Sequence, residues 1–223
     1  MLTLHHLEYS QSFRILWLLE ELGAEYELKS YNRDPESNLA PEDYKSLSPL
    51  GTAPVVTDGD LVLAESNAII DYILDSYPES PLNPKAGTTD RARHLFWYHA
   101  SPGSLMSIQG VAMVLNLLET RTPWPISALL KAVFGQVRKL FVNPRTEALY
   151  AMMEKDLGEK PFFGGDALTA ADITLVYAMC AARTKGAFES YPNILAWFDR
   201  IEAVPSFQSA RAKDDRPHID FRF

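Results

Sequence analysis

The chain has 223 residues, 47% of them hydrophobic and 22% charged, which is typical of a globular protein with a sizeable core and argues against global disorder. The formal net charge is −8 and the sequence isoelectric point lies near 5.1. This acidity, together with the lack of any basic run, argues against a nucleic-acid partner.

The first 77 or so residues alternate between strand and helix periodicity. Residues 2–4 predict a short strand, and residues 13–22 predict an apolar-periodic helix that ends at Gly23. Residues 26–31 alternate as a second strand, and residues 43–47 are weakly helical. This half of the chain therefore mixes strands and helices.

A proline-led hairpin and a helix follow. Residues 55–57 have strand character, an Asp-Gly pair predicts a tight turn, and residues 61–63 return as a second strand. Pro54 belongs at the entrance of this hairpin, because proline cannot donate to a sheet ladder, and its peptide bond is a candidate for the cis form. Two interpretations of Glu65 and Ser66 stay open: a simple helix cap, or a helix start whose amides bind a carboxylate.

The order β-α-β-α-β-β-α predicts a small α/β domain with helices on both faces of a mixed sheet, over residues 1–78. Residues 79–89 contain prolines without periodicity and predict a linker. Residues 90–223 predict an all-α domain, in which Thr169 and Asp172 form a capping-box start. Its other predicted helices cover residues 90–119 with an interruption near 101–103, 126–141, 143–157 and 192–203, with a short helix and tail from 205.

Several other classes of protein have no support in the sequence. The single cysteine, Cys180, rules out an intrachain disulfide, and the N-terminus lacks the features of a signal peptide. No apolar stretch approaches the roughly 20 residues that span a bilayer, so we expect a cytoplasmic protein without a membrane span. We expect no metal site, because His5 and His6 point to opposite faces of a strand and His94 and His99 lack zinc-like partners.

Three motifs resemble those of the glutathione transferases, and the resemblance extends over essentially the whole chain. A-P-V-V at 53–56 with E-S-N-A-I at 65–69 resembles the family's glutathione-binding signature. F-F-G-G-D-A-L-T-A-A-D-I at 162–173 resembles its C-terminal capping motif. Y-S-Q-S-F-R at 9–14 resembles the serine-using branches, such as the theta and zeta classes and bacterial and fungal relatives. The resemblance implies a thioredoxin-like α/β N-terminal domain plus an all-α C-terminal helical domain.

The resemblance also implies which residues bind glutathione, the co-substrate. Pro54 matches the family's cis-proline, and Val55 would pair its backbone with the cysteinyl part of glutathione. Glu65 and Ser66 would hold the γ-glutamyl end. Relatives often carry a cation for the glycyl carboxylate where this chain has Thr52, which offers a hydrogen bond but no charge. Either a cation such as Lys45 or Arg33 substitutes, or glutathione binds more weakly.

The catalytic hydroxyl implied by the resemblance is Ser10, because the S-Q-x-x-R spacing places Ser10 first and Arg14 in the helix. Ser12 is the second candidate and Tyr9 the third. A thiol with a pKa of about 8.5 is only about 3% thiolate at pH 7. One charge-assisted hydrogen bond, worth roughly 1.5–3 kcal/mol, is the right size to lower that pKa by about two units. We therefore expect Ser10 to donate to the sulfur rather than to attack.

The hydrophobic electrophile is expected between the domains, against the first long helix of the C-terminal half. Helical spacing puts several candidates on one face of this helix, although the same spacing is common among core residues. They are Tyr98, Leu105, Met106, Gln109 and Met113.

Three functions are compatible with this reading. The first is an enzyme of detoxification that conjugates glutathione to hydrophobic electrophiles. The second is a glutathione-dependent isomerase, dehalogenase or peroxidase at the same site, and the third is a non-catalytic binding module. The set of Ser10, Pro54, Glu65 and Ser66 favours an enzyme, whereas Thr52 keeps the binding module open. The family resemblance further implies a homodimer.

Overall fold

The computed structural model describes residues 1–214 and 216 of the chain. Its first half alternates strands and helices close to the predicted positions, and β1 is longer than predicted. The elements are β1 (Leu2–Leu7), α1 (Ser12–Leu22), β2 (Glu27–Tyr31), α2 (Glu42–Lys45), β3 (Val55–Asp58), β4 (Leu61–Ala64) and α3 (Ser66–Asp75).

The four strands form one mixed sheet in the order β2-β1-β3-β4. β1 is parallel to β2 and antiparallel to β3, and β3 is antiparallel to β4. The buried apolar residues of α1 and α3 pack with Leu4 and Val56 of the sheet in the main core, whereas Leu7, Tyr31 and Tyr44 belong to a second, smaller core. This is the expected thioredoxin-like arrangement, with the central strand β1 leading directly into α1.

After Asp75 every labelled element in the described residues is a helix, which confirms the all-α fold of this half. A π-helical turn at Ser101–Met106 lies at the predicted interruption, and a second one, Arg138–Val142, joins α6 to α7. The predicted tail beyond residue 214 lies outside the described residues apart from residue 216. The helices are α4 (Thr89–Ala100), α5 (Ser107–Arg121), α6 (Ile126–Val137), α7 (Asn143–Glu159), α8 (Ala170–Arg183), α9 (Pro192–Glu202) and α10 (Pro205–Asp214).

The central helix α8 begins at the predicted capping box. The Thr169 side chain accepts from the Ala171 amide, and the fully buried Asp172 carboxylate accepts from the amides of Thr169 and Phe163 and from Trp197 Nε1, at 2.9–3.0 Å. These bonds satisfy amides that a helix start leaves without intrahelical partners. They also attach α9 to the start of α8.

The helical half holds α1 from two sides. α1 packs against α8 and α10, and Trp17 Nε1 donates to Ser206 Oγ of α10 at 3.1 Å. At the start of α1, the Tyr177 hydroxyl of α8 donates to the carbonyl of Tyr9 at 2.8 Å. The turn between β1 and α1 is therefore fixed by both halves of the chain.

One continuous helical segment, Thr89–Arg121, is long and apolar enough to cross a bilayer by length and composition alone. The expectation that no apolar stretch approaches this size is thus wrong, since residues 101–118 carry no charged side chain. Core helices of soluble proteins can have the same length and composition, and 22% of the most apolar stretch of this segment is buried in the chain. This segment therefore presents an apolar surface.

Candidate active site

The N-terminal ends of α1 and α3 meet beside the sheet. Gln11 Oε1 accepts a hydrogen bond of 3.5 Å from Ser66 Oγ, although 55 residues separate them in sequence. Ser10, next to Gln11, and Ser66 are both 6% exposed. Two helix starts, each with amides and a positive dipole end, thus face one region, which is an arrangement suited to anionic groups.

The β3–β4 hairpin has the proline-led entrance that the sequence predicts. The Ala53–Pro54 peptide bond is cis, as expected, and β3 starts at the next residue, Val55, which pairs with His5 and Ala64. Glu65 has a φ of 77° and a ψ of 121°, an unusual conformation for a residue with a side chain, and its own side chain is exposed. Such backbone costs on the order of 1–3 kcal/mol and clusters at functional sites.

The three candidate hydroxyls have different surroundings. Ser12 is 0% exposed, and its hydroxyl contacts the Leu7 amide and carbonyl, His6 Nδ1 and Ser10 Oγ within 3.2 Å. Ser10 lies in the turn before α1, is slightly more exposed than Ser12 at 6%, and its hydroxyl donates to the Leu7 carbonyl at 2.7 Å. The Tyr9 backbone adopts φ 49°, and its ring contacts the Arg216 guanidinium, 6.0 Å from the ring centre.

A buried cation lies behind these groups. Arg14 is 1% exposed, donates to Gln11 Oε1 at 2.7 Å and to the Met106 sulfur at 2.9 Å, and its guanidinium lies over the Tyr177 ring. Burial lowers the pKa of Arg14 to about 9, so the group stays cationic at neutral pH. The sequence correctly predicted that Arg14 lies in the helix. It gave no role to Gln11, which contacts both Arg14 and Ser66, although Gln11 is part of the S-Q-x-x-R spacing.

Thr52 is exposed, and the two cations that could compensate for its lack of charge have different contacts. Arg33 donates to the carbonyls of Glu8, Tyr9 and Asn38, so its guanidinium is used within the fold. The aliphatic part of Lys45 lies beside Gly51, the neighbour of Thr52, and its ammonium forms only an exposed pair with a glutamate. Lys45 is therefore the cation that is available at this end of the site.

The candidates for the electrophile pocket have different environments. Tyr98 is 3% exposed and its hydroxyl donates to the Asn67 carbonyl and the Asp71 carboxylate, so it joins α4 to α3. Burial, and then Asp71, raise the pKa of Tyr98 far above its usual range. Leu105 is fully buried, whereas Met106, Gln109 and Met113 are half-buried.

The only thiol of the chain is buried in the helical half. Cys180 lies in α8, is 6% exposed and has its pKa raised to about 12 by burial. Since the thiolate is the reactive form, this cysteine is inert at neutral pH. The described residues contain no group of three or more His, Cys, Asp or Glu that could hold a metal ion.

A thioredoxin-like sheet with a cis-proline at the head of β3, joined to an all-helical half, defines a two-domain protein of the thioredoxin fold. The C-x-x-C pair of thioredoxin-like oxidoreductases is absent, because the chain has a single cysteine, Cys180, so dithiol chemistry is not available to it.

Comparison with known proteins gives the family. Residues 1–75 match "Glutathione S-transferase, N-terminal domain" and residues 129–214 match "Glutathione S-transferase, C-terminal domain". Glutathione S-transferase 3 of Schizosaccharomyces pombe is 30% identical over 96% of this chain and 88% of its own length. Glutathione S-transferase 1 of Saccharomyces cerevisiae is 28% identical over 96% of this chain and 95% of its own length.

A solved structure agrees with these relatives. The crystal structure of a glutathione S-transferase from Actinobacillus pleuropneumoniae has a TM-score of 0.77 and 34% identity, and covers 96% of this chain and 93% of that one. The chain therefore belongs to the glutathione S-transferase family, and it is a transferase.

Proposed function

We propose that the protein binds glutathione at the meeting point of α1 and α3, activates its thiol as a thiolate, and transfers it to hydrophobic electrophiles. The observation that carries this proposal is the contact between Gln11 and Ser66, which brings the start of α3 next to Ser10. A ligand that spans Ser66 and Ser10 would bridge two positive helix ends, which favours both a carboxylate and a thiolate.

The proposed roles divide glutathione into three parts. Glu65 and Ser66 hold the ammonium and carboxylate of the γ-glutamyl end. Val55, after the cis bond to Pro54, pairs its backbone with the cysteinyl part. Thr52 and the nearby Lys45 hold the glycyl carboxylate, with the lysine supplying the charge that threonine lacks.

Ser10 acts on the sulfur as a hydrogen-bond donor. Its donation favours S⁻ over SH, and the buried cation Arg14, two contacts away from Ser66, adds a positive field at the same point. We assign the electrophile side to the half-buried Met106, Gln109 and Met113, while Tyr98 supports this wall from behind.

We further propose a homodimer and a cytoplasmic location for the protein, and residues 1–78 and 90–223 as its domains, with 79–89 as linker.

Two assays on the full chain test this function. The protein should be retained on a glutathione resin, be eluted by free glutathione, and accelerate conjugation of glutathione to a chlorodinitrobenzene. Retention without conjugation, but with reduction of an organic hydroperoxide or with dehalogenation, would favour the second class of enzyme. Retention without any turnover would favour a binding module, and failure to bind glutathione would refute the proposal.

A further inference from the structure

A chain of four buried polar side chains starts at the candidate catalytic hydroxyl and runs into the protein. Ser10 Oγ lies 2.7 Å from Ser12 Oγ, and Ser12 Oγ lies 2.9 Å from His6 Nδ1. His6 Nε2 lies 2.7 Å from Asp214 Oδ1, and each of the four residues is at most 8% exposed. The chain connects the turn before α1, through β1, to the last residue of α10.

The carboxylate determines where the protons of this chain lie. Asp214 Oδ2 accepts a hydrogen bond of 2.8 Å from Arg211, so the carboxylate is paired with a permanent cation and acts as an acceptor. Asp214 Oδ1 accepts from His6 Nε2, and in the tautomer with its proton on Nε2 the His6 Nδ1 atom is an acceptor. The single proton of Ser12 has two acceptors in this tautomer, His6 Nδ1 at 2.9 Å and the Leu7 carbonyl at 3.2 Å, and donation to Nδ1 leaves Ser12 Oγ as an acceptor toward Ser10.

The Ser10 hydroxyl completes the path. It lies 2.7 Å from two acceptors, the Leu7 carbonyl and Ser12 Oγ. When its O–H bond turns from Leu7 to Ser12, a continuous row of hydrogen bonds leads from Ser10 to the imidazole nitrogen. A group that gives a proton to Ser10 Oγ can then send a proton to His6 without any heavy atom moving far.

We propose that His6, held by Asp214, accepts the proton that the glutathione thiol loses. The S–H bond breaks and its proton bonds to Ser10 Oγ, Ser10 passes its own proton to Ser12 Oγ, and Ser12 passes its own to His6 Nδ1. A thiolate and an imidazolium form, and both serines end neutral. This inference rests on the proposed function, because it requires glutathione to present its thiol to Ser10.

The same shift produces the donor that the thiolate needs. Before it, both serine O–H bonds point toward His6, and after it both point toward the sulfur. The imidazolium forms against the Asp214 carboxylate, which compensates part of the cost of a buried charge. His6 thus acts as a positioning residue, since it reaches the substrate only through the two serines.

Counting protons separates this role from a purely structural one. The wild-type protein with glutathione at pH 7 is measured in two ways: ultraviolet absorbance gives the thiolate formed, and calorimetry in buffers of different ionisation enthalpy gives the protons released. We expect thiolate to form with much less than one proton released per thiolate. One proton released per thiolate would overturn the proposal.

Variants locate the acceptor. His6→Asn and Ser12→Ala each interrupt the path, and each should lower the thiolate yield and reduce kcat/KM at neutral pH by roughly 10-fold or more, with little change in the Kd for glutathione. Ser12→Ala leaves the contact between His6 and Asp214 in place, so it keeps the test valid if His6→Asn does not fold. Unchanged thiolate yield in a folded Ser12→Ala protein would overturn the proposal.

His5→Asn is the matched control. His5 is the neighbouring buried histidine on the opposite face of β1, where its ring contacts the Tyr31 and Thr57 hydroxyls. This variant should leave the proton count and the thiolate yield as in the wild type, and an equal loss in His5→Asn and His6→Asn would overturn the proposal. A wild-type protein that does not bind glutathione, or binds it without forming thiolate, would instead refute the proposed function.

Discussion

At the scale of single residues, local contacts decide which of several similar side chains is available for chemistry. Ser10 and Ser12 are two residues apart and have the same hydroxyl, yet Ser12 is surrounded by Leu7, His6 and Ser10, whereas Ser10 lies at the outer end of this cluster. Arg33 and Lys45 also differ in their contacts. The Arg33 guanidinium donates to backbone carbonyls, whereas the Lys45 ammonium pairs with an exposed glutamate.

Lys45 should therefore supply the charge for the glycyl carboxylate of glutathione. Lys45→Ala should raise the KM for glutathione roughly 2- to 5-fold with an unchanged kcat, because an exposed ion pair contributes little and does not touch the thiol. Steady-state kinetics with varied glutathione measure this split. Lys85→Ala, which removes another exposed lysine paired with a glutamate, is the control. A lower kcat with unchanged KM in Lys45→Ala would contradict the assignment.

At the scale of elements, α4 carries a buried histidine with a consequence for stability. His94 is 3% exposed, stacks on Tyr98 with ring centres 5.4 Å apart, and its Nδ1 has no hydrogen-bond partner among the described residues. Burial, and then Arg91 and His99, lower the pKa of His94 to about 4 from the ordinary 6.5. The unfolded chain thus binds the proton more readily than the folded one between these values.

The free energy of unfolding should accordingly decrease as the pH is lowered below about 6.5. A single group with these two pKa values removes about 2 kcal/mol of unfolding free energy between pH 7 and pH 5. His94→Phe keeps a ring against Tyr98 and removes the titrating group. Between pH 7 and pH 5 this variant should therefore lose less unfolding free energy than the wild type, by about that amount. Urea unfolding at pH 7 and pH 5 measures the difference between the two proteins. Equal losses in His94→Phe and the wild type would contradict this account.

Element positions were largely predictable from the sequence, because apolar periodicity, Gly23 and the Thr169–Asp172 pair are local signals. The interruption in the long helix was also predicted, since Ser101-Pro102-Gly103 disfavours regular helix. The side-chain network was not predictable in the same way. His6 and Asp214 are 208 residues apart, and no local pattern marks their pairing. Helical spacing likewise grouped Tyr98 with Met106 without revealing that Tyr98 is used between α3 and α4.

At the scale of the whole molecule, exposed apolar side chains remain to be explained. They occur on β4, α3, α4, α5 and α6, and contiguous exposed apolar patches mark interaction sites. α6 has no buried residue at all. The exposed large apolar residues of these elements are Leu61, Val62, Tyr72, Leu95, Phe96, Val111, Val114, Leu118, Ile126, Leu129 and Val133.

A second copy of the chain should cover part of this surface. Val62→Glu combined with Phe96→Glu places two charges on it and should shift a wild-type dimer to monomer at micromolar concentration, which sedimentation velocity measures. Leu195→Glu, a substitution at an exposed apolar residue of α9, should leave the dimer intact. A monomeric wild type, or a dimer that survives the double substitution, would contradict this assignment of the surface.

The central claim is that Ser10, in the turn before α1, stabilises glutathione as a thiolate. The most direct measurement is the pKa of the thiol in the complex, obtained by titrating the ultraviolet absorbance of the thiolate in wild type and Ser10→Ala. We predict a thiol pKa about two units below the free value of about 8.5 in the wild type, corresponding to about 2.7 kcal/mol, and a return toward that value in Ser10→Ala with nearly unchanged glutathione binding. The same thiol pKa in both proteins would contradict the account.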